Sequence, residues 1–197
     1  MLILIHLSVT IIEEGAFDDC NELTEVVFPN NSQLRNIRRR AFADSSIPFI
    51  RIPATVTEIG DHAFSMCKSL ERVAFRNDSQ LNMIQDHAFE ETAISAIVIP
   101  AEVLEIGEGA FSNCKRLTKV EFEKNSRLKK ILKEAFADTS ISTIAIPASV
   151  QEIGTEAFFD CKPLETVCIS GNRLSMEITE DALPDTAEII WVDPYPV

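Results

Sequence analysis

The chain has 197 residues, with 18 basic and 31 acidic side chains and a formal charge of −13. That balance excludes a general nucleic-acid binder and disfavours adsorption to anionic membranes. Apolar residues make up 46% and charged residues 25%, which excludes wholesale disorder, and no apolar stretch approaches the roughly 20 residues of a membrane-spanning helix.

The chain opens with Met1-Leu-Ile-Leu-Ile-His-Leu7, which lacks the basic flank and the length of a signal peptide and reads as a strand in register with the repeats after it. The first long unit then runs Ile12, Ala16-Phe17, Cys20 and Leu23-x-x-Val26-x-Phe28. The first short unit runs Ile37, Ala41-Phe42, Ser45 and Ile47-x-x-Ile50-x-Ile52-Pro53. Further along, Ala-Phe returns at 63-64, 88-89, 110-111, 135-136 and 157-158, and Ala182-Leu183 continues the series. The steps alternate 25 and 22 residues, so the full period is 47. An isoleucine precedes each Ala by four residues, from Ile12 to Ile178, and a small residue (Cys, Ser or Thr) follows each Phe by three. Ten of the 12 Phe fall in the Ala-Phe column or close a long-unit strand; Phe49 and Phe159 stand outside.

The V-x-F and I-x-I endings alternate with period two, which predicts short strands with one face buried. Proline after the short-unit strands stops each ladder. Gly60, Gly107 and Gly154 recur in the turns, where a positive φ is expected. A unit of this size cannot bury its apolar side alone, so the coils must stack into a solenoid with one continuous core. The expected fold is a leucine-rich-repeat solenoid with a parallel β-sheet on one face and short helical or 3₁₀ turns, built on the Ala-Phe segments, on the other. A partial coil covers 1–8, and full coils start near 9, 34, 56, 81, 103, 128, 150 and 175, in a single domain of about 40 Å.

The string Ile-Pro-x-x-Val-x-x-Ile-Gly-x-x-Ala-Phe-x-x-Cys-x-x-Leu-x-x-Val, at 99–120 and again at 146–167, resembles the BspA-like (Treponema pallidum type) leucine-rich repeats. The resemblance covers residues 1 to about 186 and implies a non-enzymatic solenoid of the kind found in bacterial and protozoan surface proteins. It also implies attachment to host or neighbouring-cell proteins. The last coil departs from the pattern, with Leu183 in place of Phe and Ile189-Ile-Trp191-Val as its strand. His6 and Val9 occupy the Pro53 and Val56 positions, and Pro194 and Val197 fall 47 residues after Pro147 and Val150. Those ends are expected of a segment of a longer array.

Five Cys form no C-x-x-C pair. Cys20, Cys67, Cys114 and Cys161 lie two coils apart, about 10 Å, too far for disulfides, and read as a ladder of small side chains alternating with Ser or Thr. Cys168, between Val167 and Ile169, should point out of the sheet. His62 and His87 stack on adjacent coils about 5 Å apart, within reach of a surface metal site with Asp or Glu help. Their column otherwise holds Gly15, Arg40, Gly109, Glu134, Glu156 and Asp181, a mixture without chemical demand, so exposed turn residues and no metal are expected. Arg35, Arg38, Arg39 and Arg40, echoed by Arg127, Lys129, Lys130 and Lys133, read as solvated faces, with an anionic ligand such as a sulfated glycan as the alternative. Asn30-Asn31-Ser32 and Asn77-Asp78-Ser79 match glycosylation sequons, but plain turn chemistry is the reading expected of them. No catalytic motif or cofactor signature occurs.

The candidate binding residues are the outward strand positions: Glu25, Val27, Phe49, Arg51, Arg72, Ala74, Ala96, Val98, Lys119 and Glu121, continued by Thr143, Ala145, Thr166 and Cys168. This face carries less charge than the chain as a whole, and a partly apolar face bordered by charge suits a protein partner. The expectation is a non-enzymatic protein-binding module on a cell surface, contacting a host extracellular or cell-surface protein, with no nucleic acid and no membrane insertion. The alternative is an intracellular scaffold of the same architecture.

Overall fold

The computed structural model describes residues 1–171, 176–179 and 181–192; Pro194 and Val197 lie outside them. The chain winds as a β-solenoid, and each turn contributes to two sheets. The narrow sheet is made of two-residue strands: β2 (Ile11–Ile12), β4 (Asn36–Ile37), β6 (Glu58–Ile59), β8 (Met83–Ile84), β10 (Glu105–Ile106), β12 (Lys130–Ile131), β14 (Glu152–Ile153) and β16 (Glu177–Ile178). They form one eight-stranded parallel sheet in chain order, with the isoleucine column in register throughout.

The wide face holds β1 (Leu2–Leu4), β3 (Glu25–Val27), β5 (Phe49–Arg51), β7 (Arg72–Ala74), β9 (Ala96–Ile99), β11 (Lys119–Phe122), β13 (Thr143–Ile146), β15 (Thr166–Ser170) and β17 (Glu188–Val192). Alternation gives the buried and exposed sides expected of it, as in β9 and β13, where every second residue is buried. The expected continuous sheet is divided, however, into β1–β3, β5–β7, β9–β11 and β13–β15–β17. The three interruptions fall at steps from a 25-residue unit to a 22-residue one, and not at the reverse steps. The ladder holds at the last such step, onto β17 of the irregular final coil.

The expected helical turns are absent: the described residues contain no helix, and the Ala-Phe segments are tight turns. Each segment is bracketed by residues with positive φ, for example Arg40 (53°) and Asp44 (52°) around Ala41-Phe42-Ala43, or Glu134 (55°) and Asp138 (56°) around Ala135-Phe136-Ala137. A right-handed helix cannot contain such residues. Hydrogen bonding supplies the reason. The N–H groups of Arg40, Phe42 and Asp44 donate to Asp61, Ala63 and Ser65 of the next coil at 2.8–2.9 Å, while those between them reach three residues back. Half of the turn's donors are thus committed to the neighbouring coil, so they cannot form a helical ladder.

Gly60, Gly107 and Gly154 do not have positive φ. They are small because the preceding coil crosses close by. A Cβ on Gly107 would stand 2.6 Å from the backbone carbon of Gln85, and one on Gly154 would stand 2.9 Å from the nitrogen of Lys133.

The core is built in columns. Phe17, Phe42, Phe64, Phe89, Phe111, Phe136 and Phe158 stack ring upon ring, with centroids 5.0–5.4 Å apart and planes within 17°. Beside them runs the cysteine ladder. Cys67, Cys114 and Cys161 donate to the carbonyls of Phe42, Phe89 and Phe136 at 2.9–3.0 Å. Each thiol also lies 3.1–3.4 Å from the hydroxyl of Ser45, Thr92 or Thr139. All five cysteines are free.

Candidate binding face

Strand alternation sends the candidate residues outward because their neighbours Val26, Ile50, Val73, Ile97 and Val120 anchor the core. Glu25, Val27, Arg51, Arg72, Ala96, Val98, Lys119 and Glu121 are exposed, and Phe49 and Ala74 are half-buried. The interstrand register places Phe49 beside Arg72, Arg51 beside Ala74, Ala96 beside Lys119 and Val98 beside Glu121. Phe49 is less bare than the sequence suggests. The Arg72 guanidinium lies over its ring, 4.4 Å from the centroid, in cation–π geometry. The more exposed phenylalanine is Phe159, on the turn side. Lys119 and Glu121 pair at 2.7 Å, leaving Val98 as an exposed large apolar side chain of the central strands β5 to β11.

The ladder interruptions shape this face. Between β3 and β5 a groove of about 450 Å³ opens, floored by Val27, Phe28 and Ile52 and flanked by Phe49, Arg51 and Pro53. A second, of about 550 Å³, opens between β11 and β13 beside Val98, Phe122 and Ala145. Sequence reasoning missed these grooves, although the alternation of unit lengths marks where they fall.

Three of the four arginines of the basic cluster pair with acidic residues of the adjacent coil. Arg38 pairs with Glu13 at 2.6 Å, Arg39 with Glu14 at 3.5 Å and Arg40 with Asp18 at 2.9 Å. Its echo pairs likewise, Arg127 with Glu102 and Lys130 with Glu152, while Lys133 meets Glu108 and Glu134. Such pairing disfavours a free anion site. In the sequon turns, the Ser32 and Ser79 hydroxyls accept the N–H of Leu34 and Leu81 at 3.3 Å, the turn chemistry expected of them. Cys168 is half-buried on the wide face. Burial pushes the Cys67 and Cys114 thiols up to about 11 and raises that of Cys161.

His62 and His87 do come together. Their rings stack with centroids 4.8 Å apart and planes 6° apart. Their column has a demand that its mixed side chains conceal: His62, His87, Arg40, Glu134 and Glu156, like Gly15 and Gly109, all have positive φ.

Repeated in-register coils of strand and turn define a leucine-rich repeat protein. The chain belongs to the family described as the BspA type leucine rich repeat region, which matches residues 2–103 and 82–190. No curated protein matches the chain. Among solved structures it is similar to the pneumococcal vaccine antigen PcpA, at 23% identity and a TM-score of 0.61, over 75% of this chain and 38% of that one. It is similar to a leucine rich cell surface protein from Faecalibacterium prausnitzii, at 27% identity and a TM-score of 0.56, over 98% of this chain and 60% of that one. It is also similar to the T. pallidum leucine rich repeat protein, at 24% identity and a TM-score of 0.50, over 84% and 72%. The chain thus spans less than two thirds of the first two. The family is generally non-catalytic and serves protein interaction. No helix of the described residues is long and apolar enough to cross a membrane.

Proposed function

We propose that this chain is an adhesive protein-binding module of a surface protein, contacting a host or neighbouring-cell protein through its wide sheet face. The observation that carries the reading is the composition of that face. In a chain of charge −13, it presents Val27, Ala96, Val98 and the Arg72-capped Phe49 among charged residues, beside two grooves. Interfaces are built of such partly apolar centres with polar rims. Its likeness to proteins described as a vaccine antigen and a cell surface protein supports the placement at a surface. The test is saturable binding of the labelled chain to intact epithelial cells before and after protease shaving of the cells. The reading expects binding that shaving removes. No saturable binding, or binding indifferent to protease, contradicts it.

A further inference from the structure

His62 and His87 meet a third group that the sequence spacing does not reveal. Glu90 follows His87 by three residues, and its carboxylate lies close to both rings. Glu90 Oε2 lies 3.8 Å from His62 Nδ1 and 3.5 Å from His87 Nδ1, and the ligand atoms of the three residues all lie within 4.8 Å of one another. These separations are too long for hydrogen bonds between the groups. The two Glu90 distances come near the spacing of atoms sharing one ion, since tetrahedral bonds of about 2.0–2.1 Å set ligands about 3.4 Å apart.

Three further features point the same way. His87 Nδ1 is buried and has no hydrogen-bond partner, an orphaned lone pair or proton that costs stability unless something satisfies it. The ring lies where it does because the next coil carries Gly109: a Cβ there would come within 2.6 Å of His87 Nδ1 and Cε1. Glu90 is held from the other side, where the Ser65 hydroxyl donates to Oε2 at 3.4 Å.

The surrounding charges permit a cation. Arg39 and Arg40 face His62, but Arg40 is gripped by both oxygens of Asp18 at 2.9 and 3.0 Å, and Arg39 reaches Glu14. All three side chains remain about a quarter to a third exposed.

We infer that His62, His87 and Glu90 form a binding site for one divalent transition-metal ion of the zinc class, with the remaining coordination position open to water or to a ligand from outside. Two imidazoles and one carboxylate are a ligand set that Zn²⁺ accepts. Closing on the ion requires each stacked imidazole to swing about its soft terminal torsion.

Calorimetric titration of the chelator-stripped chain with Zn²⁺ tests this. The expected result is saturable one-to-one binding, weakened on the order of tenfold or more by His87→Ala and by the isosteric Glu90→Gln, and unchanged by His6→Ala. Co²⁺ provides a readout on the unaltered chain: visible bands of a low-symmetry nitrogen–oxygen site should appear and be displaced by Zn²⁺. Absence of saturable binding, an unshifted aqueous Co²⁺ spectrum, full affinity in Glu90→Gln, or loss of binding with His6→Ala would each overturn the site.

Discussion

Phe89 lies wholly buried between Phe64 and Phe111, with ring centroids 5.2 and 5.3 Å away. Its removal leaves a cavity that neighbouring coils cannot close without losing register. Phe89→Ala should therefore cost about 3–5 kcal/mol, read from denaturant unfolding; a loss under about 1 kcal/mol would show that the column is not the core. The cysteines give a second residue-scale test. Cys168 and Cys20 are half-buried, while Cys67, Cys114 and Cys161 are buried with raised thiol pKa values. Because the thiolate is the reactive form, alkylation at pH 8 should modify Cys168 and Cys20 and spare the other three. Labelling of Cys114 as fast as Cys168 would contradict the ladder. That ladder was legible in the sequence because a 47-residue period holds a small side chain in one place. The exposure of Cys20 was not, since it depends on its place in the first full coil.

At the scale of the element, the strands were readable and the turns were not. Period-two alternation identifies strands whatever the neighbouring coil does. The Ala-Phe turns take their conformation from hydrogen bonds to the next coil, and their left-handed residues include Arg40, His62, Met66 and Glu156, which carry no local signature. Gly15 and Gly109 in one column, and the Asp and Asn residues at 19, 44, 113, 138 and 160 in the other, were the available clue. Glu90 escaped for the same reason, since only the turn's bend brings it near His62. Two glycine exchanges separate the two uses of small residues. Glu156→Gly relieves a left-handed conformation worth roughly 1–2 kcal/mol and gives back part of that in unfolded-state entropy, so thermal stability should hold or rise slightly. Gly107→Ala drives a methyl against the backbone of Gln85 and should destabilise by about 1–3 kcal/mol. The reverse order of melting temperatures would refute this reading of the turns.

For the whole molecule, the alternation of 25- and 22-residue units shapes both faces. It leaves the isoleucine sheet continuous and divides the wide sheet, opening the grooves beside Phe49 and Val98. The solenoid and its family were legible because repetition multiplies a weak local pattern into a strong one. The candidate face was legible as a set of outward positions. Its grooves and the Arg72 cap were not, because both arise from the meeting of separate coils. The central claim is that this face, and not the turn side, meets the partner. It is tested most directly by comparing Val98→Asp with Phe159→Asp, both at exposed apolar side chains, in the saturable cell-binding assay. The account predicts that Val98→Asp weakens binding at least about tenfold, as loss of a central apolar contact does, while Phe159→Asp leaves it unchanged. Binding lost with Phe159→Asp and retained with Val98→Asp would contradict it.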